Sequence, residues 1–367
     1  MSERYQIRRE NTEHGDAVLL QDTARNAEAT VYPELGNNCV AFRTTPDGDE
    51  TTSEVEVLLP PDNISELRSV PFTGGLPILF PFPNRVRGGR FEFQGRSCFM
   101  ERLLNTGWDR GAGQAIHGLV ADREWTVEET RGGEHSAEMT ASLRLDAFPD
   151  ILAQYPFPCT ITVTYRVIDG RLEMHTRVRN TGGADLPMGF GIHPWFPAAL
   201  RPGARLPQAV AHISKEERAR FEAHIPADGI WQLQDLMPTG VVESFDRAGQ
   251  QYDLRGHRPL AASFYDNVFT RVQHEADGSS ESALRDPASG LEMYMRADSG
   301  FREWVLYAPL ERAVTALEPY TCTTDAVNLE PQGIDAGLIT LAPGAEWTGD
   351  IVIGLRRNRT DGISSAV

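Results

Sequence analysis

The stretch TITVTYRVIDGRLEMHTRVRN, residues 160–180, narrows the possible folds further than any other part of the chain. Ile161, Val163, Tyr165 and Val167 alternate with polar residues, and Leu172, Met174 and Val178 keep the same spacing after Asp169-Gly170. Period-two alternation puts the apolar side chains on one face of a strand, and an Asp-Gly pair readily takes the two positive-φ positions of a tight hairpin turn. The segment therefore reads as a long antiparallel hairpin buried on one side. The same pattern recurs in EATVYPEL, SEVEVLLP, REWTVEET, AEMTASLRLDAF, EWVLYAPL and EWTGDIVIGLR, and as further hairpins in GRFEFQGRSCFM and LRDPASGLEMYM.

Helical signals are sparse. ISKEERARFEAHI (Ile213 to Ile225) predicts a helix and NISELRSV one or two turns. Strands do not alternate with long amphipathic helices, which disfavours a doubly wound parallel sheet. No fixed-period repeat and no Pro/Ser-rich linker divides the chain. The expected fold is all-β: a large antiparallel β-sandwich with few short helices, one domain over residues 1–357 and a polar tail at 358–367.

Composition removes several classes of function. With 35 Lys and Arg against 52 Asp and Glu, the net charge of −17 opposes a nucleic-acid surface. No apolar run approaches the roughly 18 residues of a membrane span, and MSERYQIRRENTEHGD lacks the apolar core of a signal peptide. A cytoplasmic protein without a membrane partner is expected. Cys39, Cys98, Cys159 and Cys322 are dispersed and form no C-x-x-C, so they read as buried reduced thiols.

Five segments set a polar group among apolar, Gly and Pro residues: GGLPILFPFPNRVRGGRF with Asn84 and Arg85, AIHGLV with His117, MGFGIHPWFPAAL with His193 and Trp195, FYDNVF with Asp266, and ALEPYTCTTDAVNL with Glu318. Each has a structural reading. Arg85 can satisfy loop carbonyls, His117 can be a core histidine, and Asp266 can close an Asx-turn. Glu318 can pair with an arginine, and His193 can sit at a corner stiffened by Gly189, Gly191, Pro194 and Pro197. Together, two histidines, two carboxylates and an arginine make a serviceable acid–base set and a poor metal set. No P-loop, H-E-x-x-H, G-x-S-x-G elbow or dinucleotide fingerprint is present, so neither cofactor nor metal is expected.

In their order along the chain, VYPELGNNCVAFR, GGLPILFPFPNRVRGGRFEFQGR, IHGLVADREWTV, GFGIHPWF, YDNVF, LEPYTCTTDAVNL and LAPGAEWTGDIVIGL resemble the aldose 1-epimerases, or galactose mutarotases. The resemblance covers nearly the whole chain. It implies a β-supersandwich and interconversion of the α and β anomers of a free aldohexose such as galactose, with no cofactor. By the same resemblance Glu318 is the general base and His193 the general acid, while Arg85, His117 and Asp266 hold sugar hydroxyls. Asn84 and Trp195 are candidate binding residues beside them. Trp195 departs from the family, which often has tyrosine after the His-Pro pair, and Trp195 or Phe196 is the expected stacking surface for a sugar. The acid should have a pKa near or above neutrality.

Three rival readings go with this one. A hexose 6-phosphate mutarotase would use the basic run Arg85, Arg87, Arg90, Arg96 and Arg102. A glycosidase would use Asp266 and Glu318 as paired carboxylates. A non-catalytic sugar-binding protein would lack the acid or the base. The partner is a small sugar, and the protein is a monomer or a homodimer.

Overall fold

The computed structural model describes residues 3–49, 51–101, 113–205, 213–260, 263–310 and 312–358. Arg102 and residues 359–367 of the expected tail lie outside them. Asp169 and Gly170 take φ of 48° and 76°, and Ile168 pairs with Arg171 across a two-residue turn. The ladder then runs unbroken to Cys159 and Asn180, with every second residue of Cys159–Ile168 buried.

This hairpin lies within a nine-stranded antiparallel sheet. Its order is Thr126–Arg131, Ala137–Arg144, Cys159–Ile168, Arg171–Asn180, Glu346–Arg357, Leu291–Ala297, Ser280–Asp286, Glu222–His224 and Arg258–Pro259. An eight-stranded sheet runs from Met237–Glu243 through Ala227–Gln234, Tyr265–Val272, Glu303–Ala308 and Val314–Tyr320. Beyond Val314–Tyr320 it continues into Gly191–Ile192 and Ile78–Leu79, and Trp195–Pro197 also pairs with that strand. A five-stranded sheet is built from the first 56 residues, Tyr5–Thr12 to Val55–Glu56.

One continuous apolar core joins the three sheets. It takes Leu20, Val31 and Phe42 from the five-stranded sheet, Met139, Ile161 and Val163 from the nine-stranded sheet, and Phe269, Trp304, Leu306 and Leu317 from the eight-stranded sheet. Burial of this apolar surface is the main favourable contribution to the fold. Leu306 and Leu317 are cross-strand partners in the core, so their neighbours Val305 and Glu318 point to the opposite face. That opposite face is also buried, and it carries the polar residues described below.

Two local expectations need correction. In 213–225 the helix is only Lys215–Arg220, opened by a capping box between Ser214 and Glu217. Phe221, Ala223 and Ile225 are buried at period two, and Glu222–His224 joins the nine-stranded sheet. SEVEVLLP contains only the two-residue strand Val55–Glu56, because the chain then leaves the ladder and Leu59 N donates to Trp195 O at 2.8 Å. All four cysteines are free and buried. Among the described residues, no helix is long and apolar enough to cross a membrane.

The short helix also has a structural function. Arg218 is 4% exposed and donates to the carbonyls of Pro309, Ala308 and Ser263 at 3.0, 2.9 and 3.3 Å. It thereby ties the end of strand Glu303–Ala308 and the loop at Ser263 to the helix. Arg218→Ala strips a charged donor from three acceptors and is expected to cost roughly 3 kcal/mol, read as a lower urea midpoint at unchanged m-value.

Candidate active site

Strand register arranges the outer face of the eight-stranded sheet in three rows. Asp266, Tyr307, Ala316 and Trp195 are successive cross-strand neighbours in the first row. Val268, Val305 and Glu318 form the second. Glu303, Tyr320, Gly191 and Leu79 form the third, with Thr270 hydrogen-bonded to Glu303. His193 lies midway in sequence between Gly191 and Trp195, level with Glu318. Its backbone N donates to Pro77 O at 3.0 Å, and Trp195 N donates to Gly75 O at 2.9 Å.

His193 Nε2 is 3.5 Å from Glu318 Oε1, and both side chains are almost fully buried. The Tyr320 hydroxyl donates to Glu318 Oε2. The His117 ring meets the His193 ring edge-on at 5.2 Å, and Phe72 packs on His117 at 4.8 Å. Arg85 Nη1 donates to Asn84 Oδ1 at 3.0 Å, and Arg85 Nη2 lies 3.9 Å from Asp266 Oδ2. All seven predicted residues therefore belong to one connected region.

Local backbone geometry explains how the loop residues reach it. Asn84 and His117 adopt φ of 59° and 62°, and His117 N donates to Asn84 O at 2.8 Å. Left-handed backbone is uncommon for such residues and persists where the surroundings enforce it. Here the pairing of Arg85–Val86 with Ala115–Ile116 enforces it. At the neighbouring Gly118 (φ +80°) a Cβ would lie 2.0 Å from Phe80 O, which excludes any side chain there.

The aromatic expectation changes. Trp195 is 2% exposed, stacks on His193 at 4.9 Å and donates Nε1–H to Phe72 O at 2.7 Å. Arg312 lies 5.3 Å from its ring. The indole thus backs the imidazole and presents little open face, and Phe196 points into the core on the other side of the strand.

Burial dominates the electrostatics. It raises the Glu318 carboxyl well above its ordinary value, opposed by the Tyr320 hydrogen bond, reinforced by Asp266 and opposed by Arg85. It pushes the His193 imidazole down to about 4, opposed by a local backbone contact and reinforced by Arg85. His117 is lowered well below the usual imidazole value, first by burial and then by His193 and Arg85. The expectation of a His193 pKa near or above neutrality is therefore not met, because desolvation of the imidazolium is the largest effect on it. With Glu318 raised and His193 lowered, the pair shares one proton over the interval between them.

Three residues escaped the sequence reading. Tyr320 follows Glu318 by two residues on a strand and so shares its face, a signal that LEPYT does contain. Asp325 accepts from Arg87 N at 3.0 Å, and its own N donates to Arg85 O at 2.9 Å, bracing the Arg85 segment. Glu303 is 1% exposed and accepts from Trp231 Nε1 at 3.2 Å and Thr270 Oγ1 at 3.1 Å, with burial pushing its carboxyl up to about 8.

A galactose mutarotase-like protein of Clostridium acetobutylicum matches with a TM-score of 0.80 at 19% identity, covering 97% of this chain and 99% of its own. Galactose 1-epimerase from Lactobacillus acidophilus NCFM matches with a TM-score of 0.70 at 14% identity, covering 97% and 100%. The Escherichia coli K12 protein YihR is 24% identical over 264 residues, 71% of this chain and 73% of its own. The aldose 1-epimerase family model matches residues 44–354, and the chain belongs to that family. Its general role is that of a sugar epimerase or mutarotase.

Proposed function

We propose that the protein is an aldose 1-epimerase that interconverts the α and β anomers of a free aldohexose, with Glu318 as base and His193 as acid. The observation that carries this reading is the buried Glu318–His193 pair, with His193 Nε2 3.5 Å from Glu318 Oε1. Mutarotation removes a proton from the C1 hydroxyl and delivers one to the ring oxygen. The ring opens to the aldehyde, rotates about C1–C2 and recloses on the other face. One carboxylate and one imidazolium perform both transfers, and the reverse closure restores them, so net proton exchange with water is unnecessary. Moving the shared proton from Glu318 to His193 produces the reactive form without changing the pair's proton count.

Arg85, Asn84, His117 and Asp266 are the binding residues of this reading, suited to sugar hydroxyls because they combine donors and acceptors in a buried setting. Trp195 supports it from behind His193. The free sugar is preferred over a hexose 6-phosphate because each described arginine of the basic run beyond Arg85 has an intramolecular contact of its own. Arg87 pairs with Asp325 at 3.3 Å, Arg90 covers Phe99 at 4.3 Å and Arg96 lies over Phe157 at 5.8 Å.

Polarimetry of freshly dissolved α-D-glucose and α-D-galactose, corrected for spontaneous mutarotation, tests the proposal. Acceleration of either sugar supports it. Acceleration of hexose 6-phosphates alone moves the substrate to the phosphosugar class, and acceleration of none overturns the enzymatic reading.

The pH dependence follows from the pair. As pH falls the pair takes up a second proton and the base is lost, so kcat/KM should decline near pH 4, the value to which His193 is pushed. As pH rises through the elevated Glu318 value the last shared proton leaves and the acid is lost. A level profile between these limbs is expected. An acid limb at about 6.5, the ordinary imidazole value, would contradict the burial argument.

A further inference from the structure

We infer that Tyr320 is the positioning residue for Glu318: its hydroxyl occupies Oε2 and leaves Oε1 as the oxygen that exchanges a proton with His193 and the sugar. This deepens the mutarotase reading and uses its assignment of the base. A glutamate carboxyl rotates through a broad, two-fold torsion and presents either oxygen unless something holds it. Tyr320 supplies that hold. It is fully buried, stands two residues along the same strand, and donates to Oε2 while Oε1 faces His193 Nε2 at 3.5 Å. With Oε2 accepting from the tyrosine, the proton of a neutral Glu318 resides on Oε1, within reach of the imidazole.

The neighbouring strand is shaped around this tyrosine. Gly191 is the cross-strand partner of Tyr320, and a Cβ at 191 would lie 2.4 Å from the tyrosine Cδ1 and 3.0 Å from Pro83 Cβ. Any side chain there displaces the ring or the proline. The glycine two residues before His193 therefore seats the ring beneath the base. On its other side Tyr320 pairs with Glu303, whose carboxyl is engaged by Trp231 and Thr270, so the phenol is left to Glu318.

The ionisable and charged groups around the Glu318 carboxyl come from several elements. Tyr320 lies on its own strand, His193 on the segment before Trp195, Asp266 on Tyr265–Val272 and Arg85 on Arg85–Val86. The His117 ring lies edge-on to the His193 ring at 5.2 Å. Val305, directly opposite Glu318, brings no charge. Of these, Tyr320 bonds directly to Oε2, and its donation favours the ionised carboxyl, as an acceptor stabilised by a hydrogen bond must be.

The test is an NMR titration of the Glu318 carboxyl and the His193 ring in isotopically labelled protein, parent against Tyr320→Phe, with corrected polarimetry on the same samples. Loss of the hydroxyl should move the Glu318 titration upward by about one pH unit or more, the scale of one hydrogen bond to a charged acceptor. It should lower kcat by roughly 10- to 100-fold while KM stays within about twofold, because the sugar-holding residues are untouched. Gly191→Ala, which displaces the ring without altering Glu318 or Tyr320, should move the titration in the same direction. A Glu318 titration in Tyr320→Phe that superimposes on the parent overturns the inference. If no sugar is turned over but the titration still moves, the mutarotase reading falls and the positioning of Glu318 by Tyr320 stands.

Discussion

Glu318→Gln should fold normally, melt at a higher temperature than the parent near neutral pH, and lose roughly 10²- to 10⁴-fold of the corrected mutarotation rate. The amide keeps the shape of the carboxyl and still accepts from Tyr320, but it cannot take the C1 hydroxyl proton. The stability gain follows from linkage. Below the unfolded carboxyl value, about 4.3, Glu318 is protonated in both states and its titration costs nothing. Above it the unfolded chain releases the proton while the buried carboxyl, with its raised pKa, retains it. Stability is then lost progressively until pH passes the folded value, and a neutral glutamine removes that loss. Polarimetry and thermal melts on the same preparation check both halves. A variant that melts lower and remains active would refute the assignment of Glu318 as a buried base. Opposite movement of activity and stability is the usual signature of a site whose chemistry conflicts with burial.

His193→Asn is the second large effect. Asparagine fits the space in front of Trp195 but cannot protonate the ring oxygen, so a loss of roughly 10²- to 10⁴-fold is expected with the fold retained. The double variant Glu318→Gln/His193→Asn should be scarcely slower than either single one. The two transfers belong to one ring-opening step, and removing either group already disables it. Rates for the three variants measured side by side decide the point. Losses that multiply would mean that acid and base act independently, against a shared proton across 3.5 Å.

Much of this was legible in the sequence, and the parts that were not have a common cause. The Asp169-Gly170 hairpin and the alternating strands depend on neighbours a few residues apart, which sequence displays directly. Six of the seven candidate residues could be singled out because each sets a polar group in an apolar, Gly- or Pro-rich segment, and Trp195 because it is the aromatic that follows His193-Pro194. Tyr320, Glu303 and Asp325 were missed because an aromatic or acidic residue in a strand or turn has an ordinary structural explanation. Their roles appear only once residues such as Gly191 and Tyr320, 129 positions apart in the chain, are set side by side. The His193 pKa failed for a related reason: a nearby carboxylate can be guessed from motifs, whereas depth of burial cannot. The helix at Lys215–Arg220 was right in type and wrong in length, because the apolar Phe221, Ala223 and Ile225 change period from helix to strand within one run.

The position of Glu346–Arg357 bears on how the protein is made. That strand, the last among the described residues, lies in the middle of the nine-stranded sheet between Arg171–Asn180 and Leu291–Ala297. On a ribosome both neighbours emerge long before the strand that joins them, and until it arrives each offers an unpaired row of amides to other nascent chains. The half-made sheet therefore has two open edges at what becomes its interior. Completion of the core, and with it the support beneath the outer face of the opposing sheet, waits for residue 357 to clear the exit tunnel. The finished outer face thus waits for this strand, and the interval before it is when the open edges most need protection.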